Sequence, residues 1–260
     1  MKSIIKAEFL KLFYLRSTRA FLVVAALFGV LNTVATALAI DSDAAGFGFP
    51  NTQTTAGVDA VYANAAGSYV FALIIGILMI TSEFKYGTAI ATFLVTPKRQ
   101  QVLMAKLVTG AAAGLVVQLI AFIFAVGAAL GYLALQPNSA EPTISKLVSI
   151  YFAALLSGAV LGIVGIGIGA LIKNQAIAVT GSLIWLFLVE PLLLTFAPGI
   201  GKYLLSGAIT GILNIDIGPN AFNFDSTNFL EPQLATLLLI GYAVAFAAIA
   251  GKTTLKRDIE

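Results

Sequence analysis

The sequence predicts an all-α membrane protein with six transmembrane helices, and three observations lead there. The chain of 260 residues is 59% hydrophobic and only 10% charged, where a soluble domain carries roughly a quarter charged residues; its mean hydropathy is +0.98. Its charges are clustered: none falls between Lys106 and Glu141, or between Lys146 and Lys173, and each gap exceeds the roughly 20 apolar residues that cross a bilayer. The basic residues, finally, are distributed unevenly between alternate loops, as in a chain threaded repeatedly through a membrane. The whole of residues 1–260 reads as a single transmembrane domain.

Residues 1–19 form a basic arm. Ile5, Phe9, Leu12 and Phe13 recur at helical spacing with Lys2, Lys6 and Lys11 largely elsewhere, which suits an amphipathic helix lying in the membrane interface. A plain extension of the first span is the alternative. That span covers Ala20–Ile40. Its Ala37-Leu38-Ala39 resembles a signal-peptidase site, but the apolar run outlasts the 7–15 residues of a signal peptide. Asp41–Val61, rich in Gly, Thr, Asn and Ala without a helix or strand period, reads as a mobile loop. The second span is Tyr62–Thr81, followed by a polar segment over residues 83–106. The third, Leu107–Leu135, is longer than a bilayer requires and should tilt or extend into water.

In the fourth span, Leu147–Ile172, Gly158, Gly162, Gly165 and Gly169 fall at i, i+4, i+7 and i+11. Small residues at such intervals let helix backbones approach closely in lipid, either as packing within one subunit or as a seam that slides. The fifth, Ala176–Phe196, holds Glu190 followed by Pro191, the one acidic residue inside a predicted span. Ionisable groups in membranes point to function, and a transport role and a structural pairing, with Lys202 for example, both fit. Gly199–Leu213 is apolar but too short to span, so residues 199–232 read as an outer re-entrant or interfacial segment and a polar loop. The sixth span is Gln233–Ala250.

An even number of spans places both termini on one side. Thirteen of the fifteen Lys/Arg lie in the loops of that side: Lys2, Lys6, Lys11, Arg16, Arg19, Lys85, Lys98, Arg99, Lys106, Lys173, Lys252, Lys256 and Arg257. Lys146 and Lys202 alone lie opposite. By the positive-inside rule both termini are cytoplasmic.

The inventory excludes much chemistry. With no cysteine and no histidine, thiol nucleophiles, imidazole bases and Cys/His metal sites are ruled out. There is no carbonyl-lined ion filter sequence and no pair of span carboxylates, so neither enzymatic chemistry, a bound metal nor a resident cofactor is expected. "AGKTT" (Ala250–Thr254) mimics a phosphate-binding loop, but Phe246 stands where its first glycine belongs. Nothing suggests nucleic-acid binding; membrane lipids are the expected surroundings.

Residues 83–106 then stand out as the one internal basic segment long enough to meet a partner. Thr96-Pro97 reads as N-cap and first residue of a helix entering the third span. "EFKYGTAIATFLV" can form a short amphipathic helix along the membrane, with Gly87 as its weak point. A basic loop that merely holds headgroups is the alternative.

Glu83-Phe84-Lys85-Tyr86-Gly87-Thr88, then Leu94, Pro97-Lys98-Arg99 and Lys106, resemble the Glu-(Phe/Tyr)-basic-x-Gly-Thr…Leu-x-x-Pro-basic-Arg…Lys pattern of bacterial ABC-2 type transporter permeases. "AEFLKLFYLRSTRAFL", the glycine-rich span running into "LIKNQAIAV", and "VEPLLLTFAPGIGKYLLSGAI" look like the same family, so the resemblance spans the chain. Lys98 stands where arginine is common, and "KYLLSG" lacks the proline often found there.

The resemblance implies a bacterial cell-membrane permease that pairs with a second copy or a paralogue. It also implies two cytoplasmic ATP-binding-cassette subunits, which would bind the ATP and magnesium. Glu83 to Thr88 would contact the ATPase, and Pro97, Lys98 and Arg99 would orient the helix behind them. The expected function is export of an amphipathic or hydrophobic drug, peptide or lipid-like compound. A non-transporting immunity or sensor protein that binds a toxin or signalling partner is the second expectation.

Overall fold

The computed structural model describes residues 2–14, 16–42, 50–88, 99–136, 138–214 and 229–256. Of these residues 88% are helical, and none lies in a strand. The first half contains α1 (Lys2–Tyr14), α2 (Arg16–Ser42), α3 (Thr55–Asn64), a 3-10 turn (Ala65–Ser68), α4 (Tyr69–Lys85) and α5 (Arg99–Ala134). The second half contains α6 (Ile144–Leu171), α7 (Gln175–Ile184), a π-helical turn (Trp185–Val189), α8 (Glu190–Phe196), α9 (Pro198–Gly201), α10 (Leu205–Leu213) and α11 (Pro232–Lys256). Six helical stretches are long and apolar enough to cross a membrane: Thr18–Ser42, Thr55–Lys85, Gln100–Ala134, Ile144–Leu171, Gln175–Phe196 and Pro232–Thr253. The chain is a multi-pass helical membrane protein.

The second span begins earlier than its composition suggests. The segment read as a mobile loop up to Val61 becomes helical at Thr55. The Thr54 hydroxyl accepts a hydrogen bond from the Gly57 amide at 3.2 Å, capping α3, and Val58, Ala60 and Val61 are buried. The small, scattered side chains that hid a period are what let this helix pack closely: a Cβ at Gly57 would run into the carbonyls of Pro50 and Asn51. Residues 43–49 of that loop lie outside the described ones.

The fourth span is the hub, with α6 packed against α4, α5 and α11. Its glycines divide between two neighbours. A Cβ on Gly158 would stand 2.6 Å from the Gln118 Cβ, and one on Gly162 would strike the Gly110 carbonyl, both in α5. A Cβ on Gly165 would strike the Leu73 carbonyl, and one on Gly169 would lie 2.9 Å from the Ile77 carbonyl, both in α4. Gly76 and Gly114 return the approach from the facing helices. Gly162→Ala and Gly165→Ala are therefore expected to destabilise the detergent-solubilised chain by about 1–3 kcal/mol each, the usual cost of overpacking. Gly181→Ala, where nothing lies within 4 Å, should be neutral or gain up to about 1 kcal/mol of helix propensity. Equal unfolding midpoints for all three variants would refute this close-packing account.

At 36 residues, α5 is ~54 Å long at ~1.5 Å per residue, well beyond the ~30 Å hydrocarbon core. Its first turns, carrying Lys106, project toward the end of the bundle where α1 lies.

Candidate functional site

At that end four charged side chains from three separate elements close a ring. The Lys106 ammonium donates to Glu8 Oε2 at 2.8 Å and to Glu83 Oε1 at 2.6 Å. Lys11 donates to Glu8 Oε1 at 2.7 Å and to Glu83 Oε1 at 3.0 Å. Each lysine bridges both glutamates, so the ring is neutral. It ties α1 to the last turn of α4 and the second turn of α5. The Lys106 side chain is only 4% exposed and that of Glu8 5%, whereas Lys11 is 46% exposed. Two buried charges of this kind are tolerated only when paired and hydrogen-bonded.

The geometry also sets the acid–base behaviour of the ring. Burial pushes Glu8 up, but the charge and hydrogen bonds of Lys106, with those of Lys11, outweigh it and hold its carboxyl below the ordinary value. Burial pulls Lys11 down, but Glu8 and Glu83 outweigh that and hold its ammonium above its ordinary value.

Local structure explains how the members arrive. On α1, Glu8 and Leu12 are buried on one face with Ile5 and Phe9 partly covered, while Lys2 and Lys6 are exposed. Glu83 does not open a separate helix, because α4 continues through Lys85. The break comes at Gly87, whose φ of 68° lies in the left-handed region that glycine adopts without steric cost. The Gly87 amide donates to the Phe84 carbonyl at 3.4 Å, closing the helix end in the way of a C-terminal glycine cap. Phe84 is half-buried, with the Lys173 ammonium 5.5 Å from its ring centre. Lys85, Tyr86, Gly87 and Thr88 are exposed. Pro97 and Lys98 lie outside the described residues; Arg99 is the first residue of α5, its side chain likewise undescribed. The structure thus brings Glu83 and Lys106 together through α1 and leaves Lys85 to Thr88 at the surface.

Glu190 lies toward the opposite end and is fully buried. Its Oε1 accepts the Trp185 indole N–H at 2.8 Å and its Oε2 accepts the Ser206 amide at 2.7 Å. Residues five apart diverge on an α-helix, but the π-turn Trp185–Val189 widens the coil enough to put both on one face. Ser206 lies in the first turn of α10, whose unpaired amides suit a carboxylate. Glu190 therefore ties the fifth span to α10, and among the described residues it forms no ion pair with Lys202. The nine-residue α10 is far too short to cross a bilayer and ends at Asn214 in the left-handed conformation.

Sequence reasoning missed Glu8 altogether. The available signal was its position as the sole acid before Asp41, three residues ahead of a lysine on an amphipathic helix. Also missed was Gln118, fully buried and donating to the Ala66 carbonyl at 2.8 Å. No protein-family model matches the chain, and no curated protein matches it in sequence.

Proposed function

We propose that the chain is the membrane-spanning permease subunit of an ATP-driven exporter of ABC-2 type, in a bacterial cell membrane with both termini in the cytoplasm. On this reading α1 lies along the inner interface, the segment from Tyr86 to Arg99 docks the ATPase, and α9–α10 form the outer re-entrant element. ATP and magnesium belong to the two ATP-binding subunits, and a second permease copy or a paralogue completes the assembly. The cargo is amphipathic or hydrophobic, since few fixed charges face the spans.

One observation carries the reading. The glutamate that opens the Glu-Phe-Lys-Tyr-Gly-Thr segment and the lysine that ends the segment share a buried charge ring with α1. A push on residues between them would load the second and third spans together instead of flexing a loose loop. Glu83 on this account transmits force, and the exposed Tyr86, Gly87 and Thr88, with Lys98 and Arg99, make the partner contact.

Affinity purification of the full chain from native membranes in mild detergent tests this. A protein with a complete phosphate-binding loop should be recovered at a one-to-one ratio, and Tyr86→Ala/Lys98→Glu/Arg99→Glu should abolish its recovery while the permease still inserts. Recovery of no ATP-binding protein, or undiminished recovery with the triple variant, would overturn the proposal.

A further inference from the structure

A cleft of about 1060 Å³ opens at the same end of the bundle, beside the charge ring. It arises because α2 packs on α5 and the fifth span touches the bundle mainly through α4, leaving α4 as the floor between two diverging walls. It exceeds the ~300–1,000 Å³ of ordinary small-molecule pockets. The floor and walls are apolar: Ile74, Ile75, Leu78 and Met79 from α4, Phe21 from α2 and Val179 from α7. The mouth is polar and basic, with Thr18, Ser82, Lys85, Lys173 and Gln175.

Two features define what fits. The first is charge. Of the lysines beside the cleft, Lys11 and Lys106 are neutralised by Glu8 and Glu83, whereas Lys85 and Lys173 have no carboxylate partner among the described residues. Their ammoniums instead lie over the rings of Tyr86, at 5.4 Å, and Phe84, at 5.5 Å. Both exposed cations therefore gather around one short stretch at the mouth, a setting that favours an anionic ligand. The second is depth. Eleven residues separate Lys85 from Ile74, ~16 Å along a helix at ~1.5 Å per residue. That is about half of the ~30 Å hydrocarbon core, the reach of one leaflet.

We infer that this cleft is a binding site for one anionic glycerophospholipid. Its phosphate lies between Lys85 and Lys173, and its acyl chains lie along Ile74–Met79 between the first and fifth spans. A second copy docked with this mouth on its two-fold axis is a poorer occupant, because it would bring its own Lys85 and Lys173 to an already cationic mouth. The inference rests on the membrane-spanning fold and not on any ATPase partner.

The test uses the isolated full-length chain in mild detergent, equilibrated with dioleoyl phosphatidylglycerol or dioleoyl phosphatidylcholine, with retained lipid counted by native mass spectrometry. One phosphatidylglycerol should bind in clear preference to phosphatidylcholine. Each lysine near an anionic headgroup should be worth about fivefold, so Lys85→Gln/Lys173→Gln should weaken that binding about 25-fold. Lys252→Gln, at the same end but away from the cleft, should leave it unchanged. Equal retention of the two lipids by the wild-type chain would overturn the inference whether or not the variants fold. So would undiminished phosphatidylglycerol binding by the double variant, or a dimer that carries none. Because no ATPase is present, the outcome is independent of the co-purification experiment.

Discussion

Lys106→Met is expected to lower the unfolding free energy of the detergent-solubilised chain by about 3 kcal/mol, the lower end of the ~3–5 kcal/mol cost of breaking a buried ion pair. Glu8 would keep its burial but lose the cation that lies 2.8 Å away, and Glu83 would lose its shortest contact, at 2.6 Å. The cost falls at the low end because Lys11 still bridges both carboxylates, and because the methionine stem refills the apolar volume. Detergent-titrated unfolding followed by circular dichroism measures the difference. Glu8→Gln/Lys106→Met should be less destabilised than the sum of its single variants by about 1–3 kcal/mol, the coupling expected of direct contacts. Strict additivity would mean that the ring contributes nothing as a unit.

The same ring fixes a pH dependence. Glu8 is held below its ordinary value of 4.5, so its contribution is fully present above that pH and is lost as pH falls through the lowered value. Lys11 is held above its ordinary value of 10.5, so its contribution is fully present below that pH and is lost as pH rises through the raised value. Between these limits the wild-type unfolding midpoint should be flat with respect to Glu8 and Lys11. In Lys106→Met the chief opposing influence on Glu8 is gone and burial pushes its carboxyl upward. The variant's deficit should then shrink as pH falls from neutral, because Glu8 takes up its proton at a higher pH than in the wild-type chain and then no longer buries a charge. A deficit that stayed constant across this range would show that Glu8 is not the group responsible.

The spans were legible because a bilayer imposes one requirement, a long uninterrupted apolar run, and composition records it directly. Boundaries were legible only where polarity changes with the membrane. At Thr55 the helix begins because a hydroxyl caps it and small residues pack, neither of which alters hydropathy, so hydropathy alone extends the loop too far. At Glu83 the change to charged residues suggested a break, yet α4 runs on to Lys85 because the three-element ring receives that carboxylate. The break waits for Gly87, where the backbone needs a positive φ. The charge ring was hidden because its members are 3, 23 and 98 positions apart, and only the packing of α1 on α5 joins them. The glycine spacing was plain in the sequence, but not that one pair faces α5 and the other α4. For Glu190 the sequence showed an acid in a span and left its partner open. That partner depends on a π-turn, which adds one residue to a helical coil without any compositional mark.

Glu190→Ala is expected to undock α10 from the fifth span while leaving the α4–α6 core intact. The carboxylate is fully buried and, among the described residues, accepts from both the Trp185 indole and the Ser206 amide. Removing it strands an amide in the first turn of α10 and forfeits a charge-assisted bond, together about 2–3 kcal/mol. That cost falls on the local docking of α9 and α10, because these short helices reach the rest of the chain chiefly through the fifth span, α6 and α11. Hydrogen exchange should therefore speed up about 30- to 150-fold across Leu205–Leu213, the factor that ~2–3 kcal/mol of local opening implies, with exchange in Ile144–Leu171 unchanged. The chain carries a single tryptophan, and it is the residue that donates to Glu190. Its fluorescence therefore reports the same contact without a label, and both the band position and the quenching by lipid-phase quenchers should change in Glu190→Ala. Glu190→Gln keeps an acceptor oxygen for one of the two donors but turns an N–H toward the other, so it should fall between wild type and alanine in both measurements. Loss of stability spread evenly over the whole chain would place Glu190 in the general packing of the bundle. Unchanged tryptophan emission in Glu190→Ala would remove the indole contact, and with it the role assigned to the π-turn.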